Sequence, residues 1–370
     1  MPRIAHYSFF LKIAIRSQSF GKLNSKRYFQ NACEIGEGER LNIVKVGLIG
    51  LGEMGKIHFR NCLHLKGVKL VAVSDVSGRA LSSARKFGVK NVYKDYVQLL
   101  EDKEVDAVLI SLPTFLHDEA AIKAAEHGKH MLVEKPLARN TEEAERIVSA
   151  AKSANVKLMV GYPLRFSPSF VDLKQKLDLG TLGDVQIAIA NSFSLGPFSP
   201  RGEDAVPKPV PSWWFDRKLT GGGALLDLGC HLINLLRWYF GDLTSFRGHL
   251  GYRFNMDFED HAICDLHFKN GVVATVNVGW FARYRRVQVD LFGTVRHGVA
   301  TSKVPRTLDY VKKMVSFDKS TGFYKELEYF ADCIRSDMHP TTSGEDGLQD
   351  IRIISEAYTN SEHGKHASGE

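Results

Sequence analysis

A glycine-rich segment placed directly after an apolar run constrains the possible folds of this chain most. Val44 to Ile49 form a short, largely β-branched run, which is typical of a buried parallel strand. The segment Gly50-Leu51-Gly52-Glu53-Met54-Gly55 follows at once, and residues 54–65 have the pattern of a helix. A strand, a G-x-G-x-x-G turn and a helix in this order predict a βαβ unit that binds a dinucleotide.

The three glycines of this motif have different physical roles. Gly50 permits the tight turn, Gly52 lets the backbone approach a diphosphate, and Gly55 lets the helix pack closely on the strand. The N-terminus of the helix presents free N–H groups to phosphate. Asp75 follows the next predicted strand and stands 20 residues after Gly55, where an acid accepts hydrogen bonds from the adenosine ribose.

The residues after Asp75 leave the choice of dinucleotide open. The Asp75 carboxylate repels a 2′-phosphate and therefore favours NAD, but Ser77 and Arg79 follow it and could hold that phosphate. We expect NAD, with NADP as the alternative. The residues predicted to bind the cofactor in this part of the chain are Gly50, Gly52, Glu53, Met54, Gly55, Asp75, Ser77 and Arg79.

Strand-like and helix-like segments alternate from Val44 to about Tyr162. Such alternation predicts a doubly wound parallel sheet, the Rossmann arrangement, whose ligand lies beyond the carboxyl ends of the strands. The six predicted strands are residues 44–49, 68–74, a short strand at Val92, 107–110, 131–134 and 157–160. The five predicted helices between them are residues 54–65, 82–87, 96–100, 118–126 and 142–153.

After Tyr162 the pattern changes to that of a second α/β domain with a largely antiparallel, open sheet. Asn270-Gly271 between two alternating runs is a strong hairpin signal. The proline-rich segment 197–211 predicts a loop that is either mobile or part of a ligand mouth. The predicted strands are residues 186–193, 246–254, 262–268, 272–278 and 287–291, and the predicted helices are 172–177, 224–239 and 348–361.

These patterns divide the chain into four parts. We expect residues 1–42 to be a disordered or non-native extension, although their basic, acid-poor composition also resembles an organellar transit peptide. Residues 43–162 are predicted to form the NAD(P)-binding Rossmann domain, and residues 163–345 the α/β domain for substrate binding and oligomerisation. Residues 346–370 are predicted to form a C-terminal helix and tail.

The distribution of charge argues against a nucleic-acid partner. The formal net charge is +7, and the seven basic and three acidic side chains of residues 1–42 supply +4 of it. The remaining residues hold only +3, without a dense Lys/Arg block. A mildly basic body suits an anionic small ligand.

Apolar stretches and cysteines exclude two further classes of protein. Every long apolar stretch is interrupted before the roughly 18 residues that span a bilayer, so we expect no membrane partner. The five cysteines are scattered and contain no Cys-x-x-Cys pair, which disfavours a disulfide scaffold and a zinc ribbon. We therefore predict a cytoplasmic protein without a metal site.

Three polar side chains stand where chemistry is expected. Lys135 ends the fifth predicted strand, at the sheet edge that carries ligands, and an ammonium there would stabilise a developing alkoxide. It could equally be a solvent-exposed charge. Asp227 and His231, four residues apart after a run of glycines, share a helix face. They are either an ordinary ion pair or a proton-transfer pair, since His carries protons near neutral pH.

Taken together, these motifs resemble the glucose-fructose oxidoreductase, inositol dehydrogenase and rhizopine-catabolism (Gfo/Idh/MocA) family over about residues 44 to 365. The resemblance implies a Rossmann domain, an α/β domain whose open sheet packs between subunits, and a homodimer or homotetramer. The motifs that carry it are Gly50–Gly55, Leu112-Pro113-Thr114 with His117, Glu134-Lys135-Pro136, Gly161-Tyr162 with Arg165-Phe166 and Pro168, and Gly222-Gly223 through Asp227 to His231.

The resemblance also implies roles for individual residues. Lys135, Asp227 and His231 would be the catalytic trio of a dehydrogenase that acts on a CH–OH group. Leu112, Pro113, Thr114 and His117 would line the nicotinamide pocket, and Glu134 and Lys135 would also belong to the cofactor site. Glu134 and Pro136 would set the bend at Lys135. The residues expected to contact substrate are Arg165, Arg201, Trp214, Asp227 and His231.

Three further segments resemble members of the family that act on nucleotide sugars. They are residues 196–201, Phe258-Glu259-Asp260-His261-Ala262, and 342–348. We expect the 3-position of a nucleotide sugar such as UDP-N-acetylglucosamine as substrate, although the longer stretch 202–219 departs from those members. An inositol or free-sugar dehydrogenase is the alternative, and a non-catalytic NAD-binding regulator is the alternative from another class.

Overall fold

Two six-stranded sheets form the framework of the protein. The computed structural model describes residues 42–360, except 202–203, 209, 255, 284 and 304–318. The first sheet contains β1 Val44–Ile49, β2 Val68–Ser74, β3 Asn91–Tyr93, β4 Ala107–Ile110, β5 His130–Glu134 and β6 Leu158–Gly161. Its order is β3-β2-β1-β4-β5-β6 and all neighbours are parallel. The predicted doubly wound sheet is confirmed, and its strand order reverses between β1 and β4, where such sheets bind ligands.

Helices connect these strands and cover the sheet. They are α1 Glu53–His64, α2 Gly78–Lys86, α3 Tyr96–Glu101, α4 His117–Glu126 and α5 Thr141–Ser153. Three of them begin at capping side chains, because Ser77, Asp95 and Asn140 each accept a hydrogen bond from a backbone N–H of the first turn. The strands between them are buried on both faces, which explains their continuous apolar runs.

The second sheet is mixed and mostly antiparallel. Its strands are β7 Val185–Phe193, β10 Leu243–Gly251, β11 His261–Phe268, β12 Val273–Gly279, β13 Arg286–Gly293 and β14 His297–Lys303, with β8 Phe198–Arg201 and β9 Asp204–Pro207 forming a separate hairpin. The order is β10-β11-β12-β7-β13-β14, and only the β12–β7 pair is parallel. The turn at Asn270-Gly271 joins β11 to β12 as predicted, with Gly271 at φ 88°.

Two of these elements are absent from the sequence prediction. Strand β14 contains glycine and several polar residues, so it lacks the apolar alternation that marks a strand. The segment 197–211 was predicted to be a loop, but it contains the β8–β9 hairpin. Its prolines are compatible with pairing because Pro can occupy positions in a two-stranded ribbon that donate no hydrogen bond.

The remaining helices are α6 Pro168–Asp178, α7 Arg217–Thr220, α8 Cys230–Phe240, α9 Gly322–Arg335 and α10 Gly344–Asn360. A π-helical turn, Leu225–Gly229, leads directly into α8. By length and composition alone the segment Arg217–Phe240 could cross a membrane, but 72% of its most apolar stretch is buried inside the fold. It is therefore a core helix.

The two C-terminal helices pack on different parts of the fold. On α9, Leu327 and Phe330 lie in the core of the first sheet together with Leu48. Helix α10 packs against α5 on one side and against α8 and β10 on the other. The described residues between 42 and 360 accordingly belong to one compact unit.

A buried polar network fixes α10 to α8. The Asp350 carboxylate accepts hydrogen bonds from Arg237 Nη1 and Asn234 Nδ2, both at 2.6 Å. Arg165 Nη2 forms an ion pair with Asp346 at 2.7 Å. Burial raises the pKa of Asp350 to about 6, although Arg237 opposes the shift. The helix that carries Asp227 and His231 is thus held from behind by charged groups.

We expect Asp350→Ala to destabilise the protein strongly, because the substitution removes the 2.6 Å contacts of the Arg237 guanidinium and the Asn234 amide and leaves Asp346 as their remaining carboxylate partner. Breaking one partner of a buried ion pair costs about 3–5 kcal/mol. Equilibrium urea unfolding measures this free energy. Glu145→Ala is the matched control, since Glu145 pairs with Arg352 of the same α10 but is half exposed, and exposed pairs contribute about 0–1 kcal/mol. Equal losses in the two variants would contradict the prediction.

Candidate active site

The glycine segment at the end of β1 has the geometry that the sequence predicts. Gly50 has φ 93°, in the left-handed region, and a Cβ there would lie 2.5 Å from the Ser111 carbonyl oxygen. A Cβ on Gly55 would lie 2.0 Å from the Gly50 carbonyl oxygen, so α1 can pack this closely only with glycine. A Cβ on Gly52 would meet nothing within 4 Å. The backbone at Gly52 therefore faces open space, as a diphosphate site requires.

The start of α1 is suited to an anion. No side chain caps its first turn, which leaves N–H groups beside Glu53 and Met54 for phosphate oxygens. Asp75 anchors the segment, because its carboxylate accepts hydrogen bonds from the Leu51 N–H at 2.6 Å and from the Ser77 N–H at 2.7 Å. Ser77 caps α2 through the Ala80 N–H. These residues fit the adenosine diphosphate half of a dinucleotide.

Lys135 lies at the carboxyl end of β5 and faces the second half of the chain. Its Nζ donates to Asp227 Oδ1 at 2.7 Å and to the Asp227 carbonyl at 3.0 Å. Neighbouring Glu134 points the other way and pairs with the buried His58 on α1 at 2.7 Å. The predicted partners Lys135 and Asp227, far apart in sequence, therefore meet.

The charges of this pair are mutually maintained. Burial opposes the charge on Lys135, but Asp227 outweighs burial and raises the pKa of the ammonium. Burial likewise opposes ionisation of Asp227, but Lys135 and its hydrogen bond hold the pKa of that carboxyl below its usual value. Both groups are charged at neutral pH.

His231 completes the group one helical turn after Asp227. Its ring lies 6.0 Å from the Tyr162 ring in an edge-to-face arrangement. Its Nδ1 is buried and has no hydrogen-bond partner among the described residues. Burial and the Lys135 charge together lower the pKa of His231 well below 6.5. The imidazole is therefore neutral at pH 7 and able to accept a proton.

The loop after β4 lies at the same edge of the sheet. Leu112, Pro113 and Thr114 are half-buried there. His117, predicted to line the nicotinamide pocket, is instead almost fully buried beneath this loop. Its two ring nitrogens lie 3.0 Å from the Pro136 carbonyl and 2.9 Å from the Leu112 carbonyl. His117 thus joins the loop to the segment after Lys135.

The expected substrate residues are not all at the site. Arg165 is 7% exposed and is engaged by Asp346 and the Asn234 carbonyl, so its guanidinium supports α8 from behind and does not face a ligand. This placement corrects the expectation that Arg165 contacts substrate. Trp214 stacks on Trp213 with ring centroids 5.1 Å apart. Arg201 ends β8, and its side chain lies outside the described residues.

Two cations near the site were not predicted. Burial lowers the pKa of Lys208, while the charge of Glu53 raises it and that of Arg285 lowers it, so Lys208 lies near both charges. The Lys208 Nζ donates to the Gly196 carbonyl at 2.5 Å. Arg285 also lowers the pKa of His231. Lys208 lies in the proline-rich segment 197–211 and Arg285 lies next to Arg286, but neither position belongs to a recognisable motif.

Metal ligation finds no support in the described ranges. No group of three or more His, Cys, Asp or Glu side chains within them is arranged to hold an ion. The site is built instead from an open glycine turn, an ammonium–carboxylate pair and a neutral imidazole. This set can bind a dinucleotide, orient a hydroxyl and take up its proton.

Known proteins share this architecture. Residues 44–162 match the family described as "Oxidoreductase family, NAD-binding Rossmann fold", and residues 170–296 match the "GFO/IDH/MocA C-terminal domain". The chain is 30% identical over 334 residues to scyllo-inositol 2-dehydrogenase (NAD(+)) of Bacillus subtilis, covering 84% of this chain and 92% of that protein. It is 29% identical over 325 residues to myo-inositol 2-dehydrogenase of Thermotoga maritima, covering 82% and 92%.

A solved structure shows the same fold with a nucleotide sugar bound. The WlbA dehydrogenase from Bordetella pertussis, in complex with NADH and UDP-GlcNAcA, superposes with a TM-score of 0.74 at 22% identity, covering 86% of this chain and 96% of that one. The glycine geometry, the two matched domains and the 30% identity to a full-length relative agree. The chain belongs to the Gfo/Idh/MocA family of NAD-binding oxidoreductases.

Proposed function

We propose that the protein is an NAD-dependent dehydrogenase that oxidises a secondary hydroxyl of a sugar or cyclic polyol through Lys135, Asp227 and His231. The observation that carries this proposal is the 2.7 Å contact between Lys135 Nζ and Asp227 Oδ1 at the carboxyl end of β5, with a neutral His231 one turn away. A non-catalytic regulator has no need of this arrangement.

The side chains divide the work of alcohol oxidation. NAD supplies the hydride acceptor when it is bound. The Lys135 ammonium donates a hydrogen bond to the substrate oxygen and stabilises the negative charge that develops there. The neutral His231 takes the hydroxyl proton as general base. Asp227 holds Lys135 in place and favours the protonated imidazole, since its carboxylate raises the pKa of His231 against the other contributions.

Replacing the ammonium is expected to stop the chemistry and spare cofactor binding. Lys135→Met should lower kcat by about 10²–10³-fold or more, the range for loss of one oxyanion donor. The Kd for NADH, measured by fluorescence titration, should change less than threefold, because the glycine segment is untouched. Lys269→Met is the control, since Lys269 is an exposed lysine paired with Asp242. Turnover by Lys135→Met at the wild-type rate would refute the mechanism.

Two classes of substrate are supported by different observations. The similarity to inositol dehydrogenases supports an uncharged cyclic polyol or free sugar. The cations Lys208 and Arg285 beside the catalytic group support a nucleotide sugar, whose diphosphate they would pair with. The buried position of Arg165 removes the cation on which the nucleotide-sugar expectation partly rested. We therefore place the uncharged polyol first and the nucleotide sugar second.

Initial rates with myo-inositol, glucose and UDP-N-acetylglucosamine, measured side by side with NAD, separate these substrates. We expect the highest kcat/KM with an uncharged substrate. If the nucleotide sugar is preferred instead, Lys208→Met and Arg285→Met should each raise its KM at least tenfold and leave the KM for uncharged substrates within twofold. A nucleotide-sugar preference that survives both substitutions would exclude these cations as its cause.

We propose further that two copies of the chain pack through the second sheet. Its face opposite α8 carries exposed apolar side chains, namely Ile187, Ile263, Val273, Phe292 and Val299. A row of apolar groups across a whole sheet is typical of an interface, and a stable interface buries about 1,600 Å² in total.

The four described cysteines are buried and unpaired, which supports a reducing, cytoplasmic setting.

Replacing two apolar side chains of this sheet face by aspartate should separate the subunits. We expect wild-type protein to show at least twice the chain mass by light scattering and Ile263→Asp with Phe292→Asp to show the mass of one chain. Val295→Asp is the control, because Val295 is exposed in the turn after β13 and lies off the sheet. A monomeric wild-type protein would contradict the proposal.

A further inference from the structure

A single buried residue, Glu259, binds the backbone at the start of the helical segment that carries Asp227 and His231. Three consecutive backbone N–H groups at that helix start are bound by it. The Glu259 carboxylate accepts from Gly223 N at 3.1 Å and from Leu225 N at 2.8 Å, and its carbonyl oxygen accepts from Ala224 N at 3.1 Å. The first turn of a helix leaves four such donors unpaired, and one residue here satisfies three of them.

The chain around this contact leaves no room for adjustment. A Cβ on Gly223 would lie 1.7 Å from the Glu259 carbonyl oxygen, and one on Gly222 would lie 2.2 Å from the Tyr358 hydroxyl. The Tyr358 hydroxyl, from α10, donates to Glu259 Oε1 at 2.9 Å. The run of glycines before the helix is therefore explained by the close approach of Glu259 and Tyr358.

This cap lies immediately before the catalytic group. Asp227 N donates to the Gly223 carbonyl at 3.0 Å, so the first turn that Glu259 fixes is the turn that ends at Asp227. Glu259 is 1% exposed, and its carboxylate binds Gly223, Leu225 and Tyr358. Burial raises the pKa of Glu259 to about 7, while the N–H groups and Tyr358 lower it. Tyr252 and Cys264 also face this carboxyl, and neither is a cation.

We propose that Glu259 is a positioning residue for the dehydrogenase reaction: by binding the N–H groups of Gly223, Ala224 and Leu225, it sets the place of Asp227 opposite Lys135. The inference rests on the proposed function of Asp227. Its physical basis is that a displacement of about 1 Å at a reacting group can cost about 10²-fold in rate. Oε1 makes the Leu225 and Tyr358 contacts and the shorter Gly223 contact. A neutral carbonyl oxygen in its place is therefore expected to suffice.

The experiment compares Glu259→Ala with Glu259→Gln on the full chain, with the best substrate and NAD. Glu259→Ala should lower kcat per folded protein about 10–100-fold, while the Kd for NADH stays within threefold. Glu259→Gln keeps a carbonyl oxygen at Oε1 and should retain kcat within threefold. The acid limb of kcat/KM should move to lower pH in Glu259→Ala alone, because a displaced Asp227 no longer raises the pKa of His231.

Asp102→Ala is the matched control for a purely structural loss. Asp102 also accepts hydrogen bonds from three groups, the Glu104 N–H, Asn91 and Tyr93, but it follows α3 and binds β3 of the first sheet, not the helix start before Asp227. It should lower stability and leave kcat and the acid limb unchanged. A Glu259→Ala variant that behaves like Asp102→Ala, or a Glu259→Gln variant as slow as Glu259→Ala, overturns the proposal.

Two further measurements keep the outcome decisive. If Glu259→Ala does not fold, Glu259→Asp withdraws the carboxylate by one methylene, and it must be slower than Glu259→Gln for the proposal to stand. Hydrogen exchange of the backbone amides of Gly223 and Leu225 needs no turnover. The exchange rate of these two amides should increase at least tenfold in Glu259→Ala and not in Asp102→Ala. A chain that is inactive on every substrate would refute the proposed function, and the exchange rates would still decide whether Glu259 positions the helix start.

Discussion

The ion pair between Lys135 and Asp227 is the interaction on which the arrangement of the site depends. It joins the carboxyl end of β5, in the first sheet, to the π-helical turn before α8, in the second half of the chain. Burial lowers the pKa of Lys135 and raises that of Asp227, but each charge outweighs the effect of burial on the other group. The ammonium also adds to the effect of burial in lowering the pKa of His231. One contact thus acts on three protonation states. Such a contact requires that the two halves of the fold be held at a fixed separation, and α10 provides this because it packs against α5 on one side and against α8 and β10 on the other.

Features that follow from local backbone chemistry could be predicted from the sequence. The turn at Gly50 and the close packing at Gly55 depend on neighbours within one βαβ unit, and the structure has both in the predicted geometry. Asp75 follows β2 as predicted, and its carboxylate binds the Leu51 N–H of the glycine segment. The same holds for the hairpin at Asn270-Gly271, where the turn residues themselves impose the conformation. Strand β14 escaped prediction because its pairing with β13, and not its own composition, makes it a strand.

Side-chain roles that depend on a distant partner could not be predicted. Arg165 has a charged group that could bind a substrate, but its guanidinium is buried in an ion pair with Asp346, near the C-terminus. His117 was expected at the ligand and serves the loop instead, because two backbone carbonyls lie within reach of its ring. Glu259 was singled out only as part of a resemblance, since nothing in its neighbourhood indicates that it binds the start of α8. In each case the tertiary partner decides the role.

Asp227 is therefore fixed from two directions by different means. From the front, Lys135 holds its carboxylate by charge; from behind, Glu259 holds its backbone by hydrogen bonds to the first turn of the helix. Burying Glu259 has a cost, visible in a pKa of about 7, and the N–H groups that it binds offset part of that cost. An apolar residue would avoid the cost, but it would leave the N–H groups of Gly223 and Leu225 without the carboxylate that accepts from them. A carboxyl at this position is thus explained by the geometry of the helix start, and through it by the placement of the group that the reaction needs.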